Sequence, residues 1–183
     1  MTQSIKSIKK ISDADFGFTS SIKKKSKVNT NLCWQCYTCT IGCPFSDSMD
    51  IMPHKAIRSL QLGEKKSLLE SSTIWLCVGC NSCASECPMG IDIPAVMSAL
   101  RETAIKEKVK IASDDIYTFH KEFLNSVKRY GRSYKIGIMF SYKLKKLDLF
   151  GDGKVGFKML AKHKLNIVPS KIKNIRDFKR LFV

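Results

Sequence analysis

Cys33-Trp34-Gln35-Cys36-Tyr37-Thr38-Cys39-Thr40-Ile41-Gly42-Cys43-Pro44 and Cys77-Val78-Gly79-Cys80-Asn81-Ser82-Cys83-Ala84-Ser85-Glu86-Cys87-Pro88 are one pattern written twice. Each run reads C-x2-C-x2-C-x3-C-P, and together they use all eight cysteines of the 183-residue chain. The 33 residues between Cys43 and Cys77 decide the fold. Pro53 can open a helix, because the first helical turn does not need its missing N–H. Ile57, Leu60 and Gln61 follow at helical spacing, and Gly63 stops the run. Leu68, Leu69, Ile74 and Trp75 belong to a second short helix that leads into Cys77. No long strand-type alternation occurs in the core of the chain, so the expected fold class is mainly α.

The cysteine spacing carries the chemistry. A cubane [4Fe–4S] cluster takes four thiolates, one per iron, and three cysteines on a tight loop wrap one side of it. The fourth cysteine, next to proline, points away and serves the other cluster. The expected ligand sets are therefore Cys33, Cys36, Cys39 and Cys87 for one [4Fe–4S] cluster, and Cys77, Cys80, Cys83 and Cys43 for the second. Zinc sites favour cysteine pairs with longer spacers rather than triplets. Disulfides need an oxidising compartment, and nothing here reads as a secretory signal.

Outward from the block, Asp92 and Pro94 start a helix with Val96, Leu100 and Ala104 on one apolar face and Met97 beside it. Another helix is expected from Ser113, with Asp114 and Asp115 in its positive first turn and Gly131 past its end. Its stripe is Ile116, Phe119, Phe123, Val127 and Tyr130. Residues 134–162 carry more helical pattern, broken at Gly151-Asp152-Gly153, and the stretch after Pro169 reads as extended or weakly helical. Residues 1–28 read as a basic mobile arm with a short strand pair near Phe16–Ile22.

Charge is segregated. The formal net charge is +16, yet residues 29–100 hold four basic side chains (Lys55, Arg58, Lys65, Lys66) against six acidic ones. Residues 121–183 hold 17 basic against four acidic, a local net of +13. A basic surface of this kind suits nucleic acid or docking on an acidic protein, with charge steering the encounter. Docking is the preferred reading, and no nucleic acid is expected as partner. No run approaches the ~18 apolar residues of a membrane span, so no membrane span is expected and the localisation reads as cytoplasmic. His54, His120 and His163 are read as surface or helix-face residues, and Trp34 and Trp75 as shields that keep water from the clusters. No nucleophile–base pair, phosphate loop or dinucleotide fingerprint appears, so no catalytic residue and no direct small-molecule substrate are expected.

The long helical spacer resembles the α-helical ferredoxin module. It is also similar to the cluster domain of succinate dehydrogenase and fumarate reductase iron–sulfur subunits, though those carry altered ligands and an added plant-type domain. A closer resemblance is to the family of heterodisulfide reductase C-type subunits. Leu32-Cys33-Trp34-Gln35-Cys36, Pro53 with Ile57-Arg58 and Leu62-Gly63, Ile74-Trp75-Leu76-Cys77, and Cys87-Pro88-Met89-Gly90-Ile91-Asp92-Ile93 carry it, with Phe119, Phe123, Tyr130-Gly131-Arg132 and the 156–169 stretch beyond. The resemblance implies an anaerobic complex in which this chain, no enzyme on its own, relays electrons from a flavin- and iron–sulfur-containing A-type subunit to a disulfide-reducing B-type subunit. The expected domains are a basic N-terminal arm (1–28), an α-helical ferredoxin domain (29–110) and a helical, basic C-terminal docking extension (111–183). The alternatives are the iron–sulfur subunit of a quinone-linked, succinate/fumarate-type dehydrogenase, a cluster-containing nucleic-acid-binding protein, and a free ferredoxin.

Overall fold

Asp15 opens the first element of the computed structural model, which describes residues 14–146, 169–170 and 172–182. It caps helix α1 (Phe16–Ser26), its Oδ1 accepting the Phe18 N–H at 2.8 Å and satisfying one of the orphan donors at a helix start. A strand would have put Phe16, Phe18 and Ile22 on one face. Instead Phe18 and Ile22, one helical turn apart, are buried while Phe16 is exposed. The expected strand pair is thus a packed helix. It lies against two later helices, α3 (Pro53–Gln61) and α7 (Ile93–Lys106). Thr19 Oγ1 donates to the Leu60 carbonyl at 2.7 Å and Lys25 Nζ to Thr103 Oγ1 at 2.9 Å.

Helix α3 begins with Pro53 and ends in a Schellman arrangement: Gly63 N–H bonds the Leu60 carbonyl and Glu64 N–H the Ser59 carbonyl. Gly63 has φ +69°, and a Cβ there would sit 2.7 Å from the Asp15 nitrogen. The chain needs glycine here both for the left-handed turn and for the close approach of the backbone entering α1. The expected single helix before Cys77 is two, α4 (Lys65–Leu69) and α5 (Thr73–Leu76). A distant carboxylate explains the break. Asp50 accepts the N–H of Ser72 at 2.8 Å and of Thr73 at 3.1 Å, so it starts α5 from 22 residues away. Burial works to raise the Asp50 pKa, but the hydrogen bonds from Ser72 and Thr73 outweigh it and hold the carboxyl below its usual range.

Helix α7 follows the expected reading. Asp92 Oδ1 accepts the Ala95 N–H at 2.9 Å, Pro94 lies in the first turn, and Val96, Met97, Leu100 and Ala104 are buried. It is the strut on which α1, α4 and α5 pack. Ile22, Ile57, Leu60, Leu68, Leu69, Ile74, Val96, Met97 and Leu100 form the fully buried core, each contributing on the order of 1.5–3 kcal/mol by burial.

The chain divides into two compact units, 1–113 and 114–183. In the second, α8 (Asp114–Tyr130) packs on α9 (Lys135–Lys146). Only part of the expected stripe packs on α9: the Phe119 ring meets that of Tyr142 edge-on at 6.1 Å between centroids. Glu122 and Ser126 are buried, while Phe119 and Phe123 are exposed. The reason is polar pairing: Lys145 Nζ binds Glu122 Oε1, and the Tyr134 N–H donates to Ser126 Oγ at 2.9 Å. The final basic stretch forms α10 (Ile175–Lys179) and a 3-10 turn, Arg180–Phe182. The break at Gly151–Gly153 lies outside the described residues.

Candidate metal centres

The repeat in sequence is a repeat in space. Each cysteine run is entered from a short helical turn, Thr30–Leu32 or α5, whose first carbonyl accepts the N–H of Cys33 or Cys77 at 3.1 Å. Two left-handed residues then fold each loop: Gln35 and Tyr37 in the first, Gly79 and Asn81 in the second. Each leads into a four-residue helix, α2 (Thr38–Ile41) or α6 (Ser82–Ser85). These two helices pack on each other. The last N–H of each motif, on Cys43 or Cys87, bonds back at 3.2 or 3.3 Å to Thr40 or Ala84.

The loops create two cavities. Cys33, Cys36, Cys39 and Cys87 line the first, with Ile57 and Ile91 behind them. Cys43, Cys77, Cys80 and Cys83 line the second, with Phe45 and Met97. Each cavity therefore gathers three cysteines of one run and the fourth of the other. Ile93, 3% exposed, lines both and is the wall between them.

The donor set fits an iron–sulfur cluster. Among the described residues no three His, Cys, Asp or Glu side chains converge tightly enough to chelate a single ion. Four thiols standing around a space suit a multi-atom cube, whose irons lie at its corners. Burial, with neighbouring thiols adding to it, pushes Cys39 up to about 11 and Cys83 up to about 12. Thiols held this high ionise when a bound cation compensates them. Cys36 and Cys80 sit at the exposed rim, and hydrogen bonding with the side chains and backbones of Thr38 and Ser82 lowers their pKa. Arg101 Nη2 donates to the Cys77 carbonyl at 3.1 Å and brings a positive charge beside the second site.

Two residues differ from their expected places. His54 is buried in the wall of the first cavity rather than on the surface. Its Nδ1 is 2.7 Å from Thr40 Oγ1, its ring lies 4.0 Å from that of Tyr37, and burial, then Lys55, lowers its pKa. It locks α3 to the first cysteine loop. Trp34 lines the first cavity while staying 71% exposed, a place that fits its expected role as a cover, whereas Trp75 is buried in the core and lines neither cavity, so it does not shield as expected. His120 is an exposed helix-face residue, and His163 lies outside the described residues. Spacing does not single out Gln35, Asp50, Ile93 or Arg101. The Gln35/Gly79 mismatch between the two runs is the available signal.

These features suit an iron–sulfur module, and residues 32–92 match the family described as a 4Fe-4S dicluster domain. The C-type iron–sulfur subunit of CoB–CoM heterodisulfide reductase from Methanopyrus kandleri is 31% identical over 85 residues, 46% of this chain and 44% of the relative. The C-type subunit of the H2:CoB-CoM heterodisulfide,ferredoxin reductase from Methanothermobacter marburgensis is 32% identical over 92 residues, 50% of each chain. A protein from Archaeoglobus profundus, named for its likeness to the heterodisulfide reductase C-type subunit, is 33% identical over 87 residues, 47% of this chain and 46% of the relative. The chain spans about half the length of the curated relatives it matches.

Proposed function

We propose that this chain is the electron-transfer iron–sulfur subunit of a heterodisulfide-reductase-type complex, and not an enzyme on its own. Cys33, Cys36, Cys39 and Cys87 hold one [4Fe–4S] cluster, and Cys77, Cys80, Cys83 and Cys43 hold the second. Electrons pass from a flavin- and iron–sulfur-containing A-type subunit, through both clusters, to a disulfide-reducing B-type subunit. The clusters supply one-electron redox chemistry. The residues supply thiolate ligands, an apolar wall at Ile93, and an exposed rim at Cys36 and Cys80 where a partner can approach.

What supports this reading is the pair of adjacent four-cysteine cavities with exchanged fourth members. Two redox groups in adjacent cavities that share Ile93 in their walls form a relay. Residues 111–183 are the docking extension, supported by their basic excess and by Phe119, Phe123, Phe140 and Leu144 exposed among the lysines. Charge at such a surface raises the association rate and weakens with salt. The proposed location is the cytoplasm; among the described residues no helix is long and apolar enough to cross a membrane.

The test is anaerobic capture of the tagged full chain from its host, with its partners identified and electron flow measured. Co-purification with A- and B-type subunits, and disulfide reduction that needs this chain, is the expected result. A cluster-loaded chain that captures a quinone-linked dehydrogenase or nucleic acid overturns the assignment.

A further inference from the structure

The two cysteine runs correspond position for position at an offset of 44 residues. A difference between them therefore isolates a side chain that the shared loop does not require. The third position is Gln35 in the first run and Gly79 in the second, with φ of 60° and 67°. Glycine enters this left-handed region freely, and a residue with a Cβ does so at a cost. The loop explains the dihedral in both runs. It does not explain the glutamine.

The Gln35 side chain has a defined task. Its Nε2 lies 3.2 Å from Cys33 Sγ and 3.2 Å from the His54 carbonyl oxygen. A thiolate and a carbonyl are both acceptors, so the amide must turn its two N–H bonds toward them; flipped, its oxygen would face both. His54 is itself fixed, buried and bonded to Thr40, so the amide is held from behind while it points at the sulfur. Gly79 offers Cys77 no counterpart. The other side-chain contacts to sulfur match between the runs: Cys36 with Thr38 at 3.4 Å and Cys80 with Ser82 at 3.5 Å.

We propose that Gln35 sets the reduction potential of the cluster held by Cys33, Cys36, Cys39 and Cys87, raising it through the amide hydrogen bond to Cys33 Sγ. This rests on the cluster-binding reading under Proposed function. Reduction adds one electron from an external donor and neither makes nor breaks a bond. The added negative charge spreads onto the thiolates, and an N–H already aimed at one of them stabilises the reduced form more than the oxidised form. Gln35 is a positioning residue that acts through Cys33. Arg101 is a separate influence beside Cys77, so the effect of Gln35 is measured on its own cluster and not as a difference between the two.

The experiment is a redox titration of the anaerobically reconstituted full chain, followed by paramagnetic resonance, with iron and sulfide measured on every sample. Gln35→Gly should lower the midpoint of one cluster and leave the other in place. Gly79→Gln is the converse: a Cβ at Gly79 meets nothing within 4 Å, and Gln35 already tolerates the same dihedral. It should raise the midpoint of the cluster that Gln35→Gly leaves unmoved. Unchanged midpoints in both variants at about eight irons per chain overturn the proposal and reduce Gln35 to a structural tie. If Gln35→Gly loses its cluster, Gly79→Gln decides: a raised midpoint supports the proposal and an unmoved one overturns it. An unsubstituted chain that binds no iron fails the cluster reading itself, a result distinct from either.

Discussion

Removing cysteines in pairs tests the exchange of ligands with nothing more than an iron count. The first cavity is bounded by Cys33, Cys36, Cys39 and Cys87 and the second by Cys43, Cys77, Cys80 and Cys83, with no cysteine in common. Alanine is the substitution to use, because a serine oxygen can stand in as a ligand. Each [4Fe–4S] cluster contributes four irons, so the intact chain should hold about eight and Cys36→Ala, Cys43→Ala or Cys87→Ala alone about four. The surviving cluster should persist, since it keeps all its own thiolates and the fully buried core beneath it, from Ile57 to Leu100, is untouched. The doubles then separate the two wirings. Cys36 and Cys87 share a cavity, so their double should still hold about four irons; Cys36 and Cys43 lie in different cavities, so theirs should hold about none. The assay is colorimetric iron and acid-labile sulfide on anaerobically reconstituted protein. The opposite pattern, with the Cys36/Cys43 double retaining a cluster and the Cys36/Cys87 double retaining none, would show that each run binds its own and refute the exchange.

Ile22→Ala should cost about 2–5 kcal/mol, because a fully buried side chain loses three carbons and leaves a cavity between α1 and its neighbours; anaerobic urea unfolding followed by far-UV dichroism measures it, and a loss under about 1 kcal/mol would mean α1 is only loosely attached. Asp50→Ala removes the acceptor for the Ser72 and Thr73 N–H groups and should cost about 1 kcal/mol, the usual worth of a helix cap, in the same assay. The pH dependence has a definite sign. The Asp50 pKa is depressed in the folded chain, so its contribution is fully present above the unfolded value near 4 and is lost as pH falls through the lower folded value; Asp50→Asn should show a shallower loss of stability on acidification, and an identical acid limb would count against the cap. Stripping iron with a chelator should abolish the visible absorbance, lower the thermal midpoint and reduce helicity, since α2 and α6 have four residues each and helices this short do not hold alone; an unchanged melting curve would detach the clusters from folding.

The parts legible in the sequence are those set by local rules. Ligand spacing, the proline that opens α3, the glycine that ends it and the Asp92 cap of α7 each act within a few residues, so reading along the chain suffices. What escapes such a reading depends on partners far away in sequence. Helix α1 has only Phe18 and Ile22 to bury, and their burial requires the groove that α3 and α7 supply; Asp15 as a cap is its one local mark. The gap between α4 and α5 follows from a carboxylate 22 residues upstream, and the packed face of α8 from the Glu122–Lys145 pair as well as from Phe119 of its aromatic stripe. The same division runs through the site. All eight cysteines are visible as a motif, whereas His54, Ile93 and Gln35 matter by what they touch. The repeat bridges the two kinds of information. Because the loops share a backbone, with left-handed residues at 35 and 37 in one and at 79 and 81 in the other, every unequal pair marks a place where the fold leaves the choice open. At Gln35/Gly79 the inequality puts an amide on one ligand sulfur and leaves its counterpart bare, so a comparison of the chain with itself identifies the residue that spacing alone does not mark.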